Sequence, residues 1–170
     1  MPNPTSMPPS ESWAEVRARN QVMRYRRSGA GRSLLLLRSD RDAVALWPDL
    51  DGALDGSCRV IAPAVPPAVA DLVAWLADFA EGLGLARVAL LAVGVLCVPA
   101  LELALLDPER VSRAVLVPDV GDGEGVESAL ATTAHDLAMP LLVVPRSTPA
   151  TEAVRRITGF LGPDERRTAG

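Results

Sequence analysis

At 170 residues, with 49% of them hydrophobic, the chain is long enough to bury one core and too short for two comfortable ones. Its formal net charge is −4 with acidic and basic residues interspersed, which excludes the basic footprint of a nucleic-acid binder and the cationic face drawn to anionic lipid. All 17 basic residues are Arg, a bias that, beside the many Ala, Gly, Pro and Val, reads as GC-rich coding and not as 17 functional cations.

Residues 1–10 hold four prolines and three Ser or Thr, too little apolar surface to offset the entropy of ordering, and are predicted as a disordered tail. They lack the basic start and apolar centre of a signal peptide, so a cytoplasmic location is expected. The longest apolar run, Val88 to Leu101, contains Gly94 and Pro99 and falls short of the roughly 20 residues of a spanning helix, so it is core and no membrane is expected. Cys58 and Cys97 lie in apolar surroundings and read as buried free thiols. One domain is expected over 11–162, followed by a flexible tail at 163–170.

In chain order, Trp13–Arg19 and Gln21–Arg27 alternate like two strands around Asn20, and Ser28 to Gly31 is a turn. Ser33–Leu37 ends in four leucines, a run too short for a helix and suited to a strand covered on both faces. Asp42–Leu50 can form a short helix, and Arg59–Ala62 is the next strand. Ala68–Leu85 places Val69, Leu72, Val73, Leu76, Ala80 and Leu83 at helical spacing. Val88–Val93 is then a strand, a turn lies near Gly94, and Val95–Leu106 is a helix. Arg113–Val117 is a strand, 121–125 a loop, Val126–Asp136 a short helix and Leu141–Val144 the last strand. Thr148 and Pro149 fit the cap and first position of a helix carrying Val154, Ile157, Phe160 and Leu161, stopped by Gly162-Pro163. Strands alternating with helices in this way imply an α/β fold: three layers, with a mostly parallel twisted sheet of six to seven strands flanked by helices.

The stretch Leu83–Val111, with its strand, sharp turn and helix, resembles without a gap the nucleophile-elbow region of α/β-hydrolase-fold proteins. Tyr25–Gly31 before Leu34–Leu37, and Arg59–Pro63, resemble the approach to that family's third strand and its fourth. In such an elbow a small–x–nucleophile–x–small pattern holds a Ser hydroxyl on a strained strand-to-helix turn, beside backbone donors at the helix N-terminus. In this register the five positions are Ala92, Val93, Gly94, Val95 and Leu96, so glycine stands where the resemblance implies a nucleophile. Leu96 replaces a glycine that allows close strand–helix packing, from which a relaxed or shifted turn is expected. Arg38-Ser39 match the oxyanion-loop His-Gly. Asp119 matches one of the two places for the acid, and His135, the only histidine, precedes the last strand where no base is expected. The short span between Val117 and Leu141 implies a minimal core without lid or last strand.

These substitutions imply a degenerate hydrolase with no catalytic residue assigned, and no cofactor or metal is expected. Since ligands of open α/β sheets bind beyond the carboxyl ends of the strands, the candidate pocket is Arg38, Ser39, Asp40, Gly94, Val95, Asp119 and Arg146, with room for a small organic ligand. Arg38 and Arg146 either clamp an anion or pair with Asp40 or Asp119. Cys97, three residues past the turn, points away from its tip. The expected role is binding or assembly, as a homodimer or with a partner protein added to the exposed strand Leu141–Val144. The alternative is a repurposed non-hydrolytic enzyme of cyclase, lyase or isomerase type, in natural-product biosynthesis, using the lid-less crevice.

Overall fold

The computed structural model describes residues 13–39, 47, 49–119, 137 and 139–162. The expected tails, the candidate Asp40, the expected loop at 121–125, the expected helix Val126–Asp136 and His135 lie outside the described residues.

The strands are β1 (Trp13–Ala18), β2 (Gln21–Ser28), β3 (Arg32–Leu37), β4 (Cys58–Pro63), β5 (Val88–Val93), β6 (Val111–Val117) and β7 (Leu141–Val143), and the helices α1 (Leu50–Asp55), α2 (Leu72–Gly82), α3 (Cys97–Leu106) and α4 (Ala150–Leu161). They form a seven-stranded sheet in the order β1-β2-β4-β3-β5-β6-β7. The first pairs, β1 with β2 and β2 with β4, are antiparallel. All others are parallel. The mostly parallel sheet expected from the sequence is therefore present, with its antiparallel part confined to the β1–β2 end.

Side-chain alternation explains the layers. In β3, Leu35 and Leu37 join the core under α2 and α3, and Leu34 and Leu36 the core under α1 and α4. In β5, Leu90 and Ala92 go to the first core and Ala89, Leu91 and Val93 to the second. Every residue of β5 is buried, so both faces of this strand need a helix layer. Each fully buried Leu contributes roughly 1.5–3 kcal/mol relative to exposure. In the first core Phe79 stacks on Trp75 (centroids 5.8 Å apart, 3° between planes) and meets the edge of Tyr25 at 5.7 Å.

Helix boundaries depart from the sequence-based expectation in all four helices; α3 starts at Cys97 and not Val95, behind a 3-10 turn over Gly94–Leu96. α2 starts at Leu72 and not Ala68, because the Asp71 side chain accepts from the Ala74 amide at 2.9 Å. It stops at Gly82 in a Schellman turn, in which the amides of Gly84 (φ +66°) and Leu85 donate to the carbonyls of Glu81 and Ala80. α1 begins at Leu50, where the expected Asp42–Leu50 helix was to end; residues 42–46 and 48 lie outside the described set. In α4 the cap position is Pro149, extended at φ −54° and ψ 140°, and Ala150 opens the helix, one residue later than Thr148 and Pro149 imply. Among the described residues no helix is long and apolar enough to cross a membrane.

Two outcomes follow from this core. Phe79→Ala removes a fully buried ring and is expected to cost about 3–5 kcal/mol, read as a lowered urea midpoint at unchanged slope. Burial pushes the Cys58 thiol pKa up, with Arg32 and Arg113 acting in the opposite sense. Above the ordinary thiol range the unfolded chain loses this proton first, so stability that is full at neutral pH falls as pH rises. Urea midpoints at pH 7 and pH 10 are expected to differ less in Cys58→Ala than in the parent.

Candidate functional site

Parallel strands carry their carboxyl ends to one edge of the sheet, and there β3 delivers Arg38 and Ser39, β5 delivers Gly94 and Val95, β6 delivers Asp119, and the turn after β7 delivers Arg146. The chain leaves β5 through Val93 in extended conformation, turns at Gly94 with φ +61°, and enters α3 through a 3-10 turn over Gly94–Leu96. That φ is available to glycine at little cost. The relaxed turn expected from Leu96 is not what is found. Leu96 is 5% exposed, inside the core beneath α2 and α3, and the sharp left-handed turn is kept. Val95, on the outer side of the same turn, is 66% exposed. Cys97 is buried, its thiol directed to the Ala92 carbonyl at 3.4 Å, in line with a structural thiol pointing away from the turn.

Three of the candidate residues meet. Arg146 Nη2 lies 2.7 Å from Asp119 Oδ1, and the pair sits over Gly94. A Cβ built on Gly94 falls 2.7 Å from Asp119 Oδ2 and 3.3 Å from Arg146 Nη2. A side chain at position 94 therefore requires the ends of the Asp119 and Arg146 side chains to move. Arg146 is held in place by a compact turn in which the Thr148 amide donates to the Pro145 carbonyl at 3.0 Å. Thr148 in turn accepts through its own carbonyl from Trp47 Nε1 at 3.0 Å, which fastens the loop after β3 to the loop after β7.

Arg38 takes a different partner from the expected Asp40 or Asp119. Its guanidinium grips Asp51 in the first turn of α1 through contacts of 2.9, 3.2 and 3.2 Å. Such bidentate, charge-assisted geometry is the strong form of the Arg–carboxylate pair. Asp51 also suits its position, a carboxylate near the positive end of a helix. Sequence reasoning missed Asp51; the only signal for it was an acidic residue at the start of a helix whose boundaries were themselves misplaced. Ser39 is half-buried beside Arg38. Among the described residues no three His, Cys, Asp or Glu side chains gather as metal ligands.

Chemically, the edge offers two arginines that are each neutralised by a carboxylate, a glycine turn and one exposed valine. The carboxylate matched by resemblance to the acid of a triad is turned toward Arg146.

No protein-family model and no curated protein matches the chain. Solved structures do. A CIB-like hydrolase from Thermoplasma acidophilum, described as predicted, is similar with a TM-score of 0.63 at 15% identity, over 88% of this chain and 97% of its own. Carboxylesterase CesB (YbfK) from Bacillus subtilis is similar with a TM-score of 0.55 at 24% identity, over 65% of this chain and 44% of its own. Haloalkane dehalogenase DbeA from Bradyrhizobium elkani gives 0.54 at 19% identity, over 69% and 48%. The chain thus spans less than half the length of the carboxylesterase and the dehalogenase. Strand order, the left-handed turn after β5 and these similarities agree that the chain has the α/β-hydrolase fold.

Proposed function

We propose that this chain is a non-hydrolytic protein of the α/β-hydrolase fold that binds or assembles with other chains. One observation carries the non-hydrolytic half. At the elbow tip stands Gly94, and the Asp119–Arg146 pair occupies the space where a nucleophilic side chain would project. A hydroxyl nucleophile also needs a base within hydrogen-bond reach, and the carboxylate beside Gly94 is committed to a guanidinium. A cytoplasmic setting goes with this role, supported by the free, buried thiols of Cys58 and Cys97.

Assembly is supported by the ends of the sheet. Among the described residues β7 pairs with β6 alone, and β1 with β2 alone. A terminal strand leaves a row of N–H and C=O groups able to pair with an added strand. β7, the strand expected to receive a partner, is half-buried along its length.

Short-chain p-nitrophenyl esters are expected to hydrolyse at the buffer rate in the presence of the protein. Gly94→Ser is expected to leave that rate unchanged and to lose about 1–3 kcal/mol of stability, since a Cβ meets Asp119 and the φ is unfavourable. Adding Asp119→Ala to Gly94→Ser is expected to recover part of that loss, read from urea midpoints. Turnover that scales with protein concentration and follows the protein through repurification overturns the non-hydrolytic reading. For assembly, light scattering is expected to give a mass above the 17.9 kDa of one chain, alone or with a partner. A monomer at every concentration with nothing retained in pull-downs overturns it.

A further inference from the structure

The hairpin at the far end of the sheet from β7 fixes which groups of β1 are open. β1 and β2 are joined by a two-residue turn, Arg19-Asn20, with Arg19 at φ 53°. Ala18 and Gln21 therefore close the turn as a hydrogen-bonded pair, and alternate pairs, Val16 with Met23 and Ala14 with Tyr25, repeat it. The N–H and C=O groups of Trp13, Glu15 and Arg17 consequently point away from β2. The parity is visible on β2, where the Arg24 carbonyl, of the opposite set, accepts from the Ala64 amide at 2.8 Å on the β4 side. The side chains of Glu15 and Arg17 are exposed on the face away from α2, while Val16 is half-buried on the α2 face, close to Gly82.

We infer that β1 pairs antiparallel with β1 of a second copy of this chain about a two-fold axis at Val16, which joins two sheets into one. The inference rests on the assembly reading above and names its partner and edge. A two-fold antiparallel pairing sets residue against residue by its axis alone. An axis at Glu15 puts Glu15 opposite Glu15, a like-charge pair. An axis at Ala14 uses Trp13 and Glu15 and leaves Arg17 outside. An axis at Val16 brings the outward groups of Glu15 against those of Arg17 in both directions, so each strand supplies a carboxylate to the other's guanidinium and Val16 meets Val16. Opposite charges directly across a strand pair stabilise it, and like charges oppose it.

Among the described residues neither charge is strongly engaged within its own chain. Glu15 is 4.0 Å from Arg24 with both side chains well exposed, and Arg17 faces Val22 across the hairpin. A guarded edge usually carries charges that repel a second copy. The alternating signs of Glu15 and Arg17 do the reverse. β7 is a poorer candidate for self-pairing: it has three residues against the six of β1, and its Val143 carbonyl already accepts from Arg156 at 3.4 Å.

Sedimentation equilibrium or light scattering on the full chain tests this with three proteins. The parent is expected to dimerise, and Glu15→Arg and Arg17→Glu each to weaken self-association by roughly 10-fold or more, since each makes both cross-strand pairs repulsive. Mixing Glu15→Arg with Arg17→Glu is expected to restore a dimer, now of unlike chains, because both pairs become attractive again. Circular dichroism is expected to match the parent for both; Arg17→Glu stands opposite the uncharged Val22 across the hairpin and so keeps the test valid if Glu15→Arg folds poorly. A parent dimer that Arg17→Glu leaves unchanged overturns the β1 interface while leaving assembly through another edge standing. A parent that stays monomeric overturns the β1 interface outright, and the assembly reading then rests on a different partner.

Discussion

Burial of β5 on both faces is the constraint from which the rest of this architecture follows. A strand whose six residues are all buried cannot sit at a sheet edge or face water, so it needs neighbours on both sides and a helix layer above and below. β3 and β6 supply the neighbours, α2 and α3 one layer, α1 and α4 the other. The strands from β4 to β7 then run in one direction, with α1 crossing over on one face and α2 and α3 on the other. Their carboxyl ends fall together as a result. Gly94, Asp119 and Arg146 are distant in sequence and adjacent in space for that reason alone.

At that edge the chain balances two demands at one residue. The turn out of β5 needs a left-handed backbone, which glycine provides without strain. The same glycine has no Cβ, and the space so left is taken by a carboxylate and a guanidinium that neutralise each other. Arg38 and Asp51 repeat the pattern at the end of β3. Both pairs are partly shielded from water and tie the end of one strand to a neighbouring turn or helix start, so their contribution is to fix loop positions as much as to add stability.

Much of the architecture was legible in the sequence because it rests on local signals. The apolar run Val88–Val93, the leucines of β3 and the periodicity of α2 identify two-sided strands and an amphipathic helix directly, and the resemblance of Leu83–Val111 to an elbow gives the register of the turn. Boundaries were less legible, since they depend on single hydrogen bonds: Asp71 to the Ala74 amide starts α2 four residues later than its apolar pattern suggests. Leu96 was misjudged because its side-chain volume argues against a tight turn only if it has nowhere to go, and a hydrophobic pocket under α2 and α3 receives it. Of the candidate site, topology brought Arg146 and Asp119 to one edge, and their pairing was one of the alternatives left open beside a clamped anion. Arg38 with Asp51 was not among those alternatives, because that contact depends on where α1 begins.

The cluster over Gly94 also has a place in time. Its three residues arrive on three successive segments, after β5, after β6 and after β7, so the cluster is complete only when all three strands are in register. β3 must meanwhile wait with one side uncovered until β5 is added beside it. Parallel pairings of this separation form slowly compared with a hairpin such as β1–β2. The complete cluster, ion pair seated on the turn, needs β5, β6 and β7 together, which makes it a marker of the completed sheet as well as a plug at its edge.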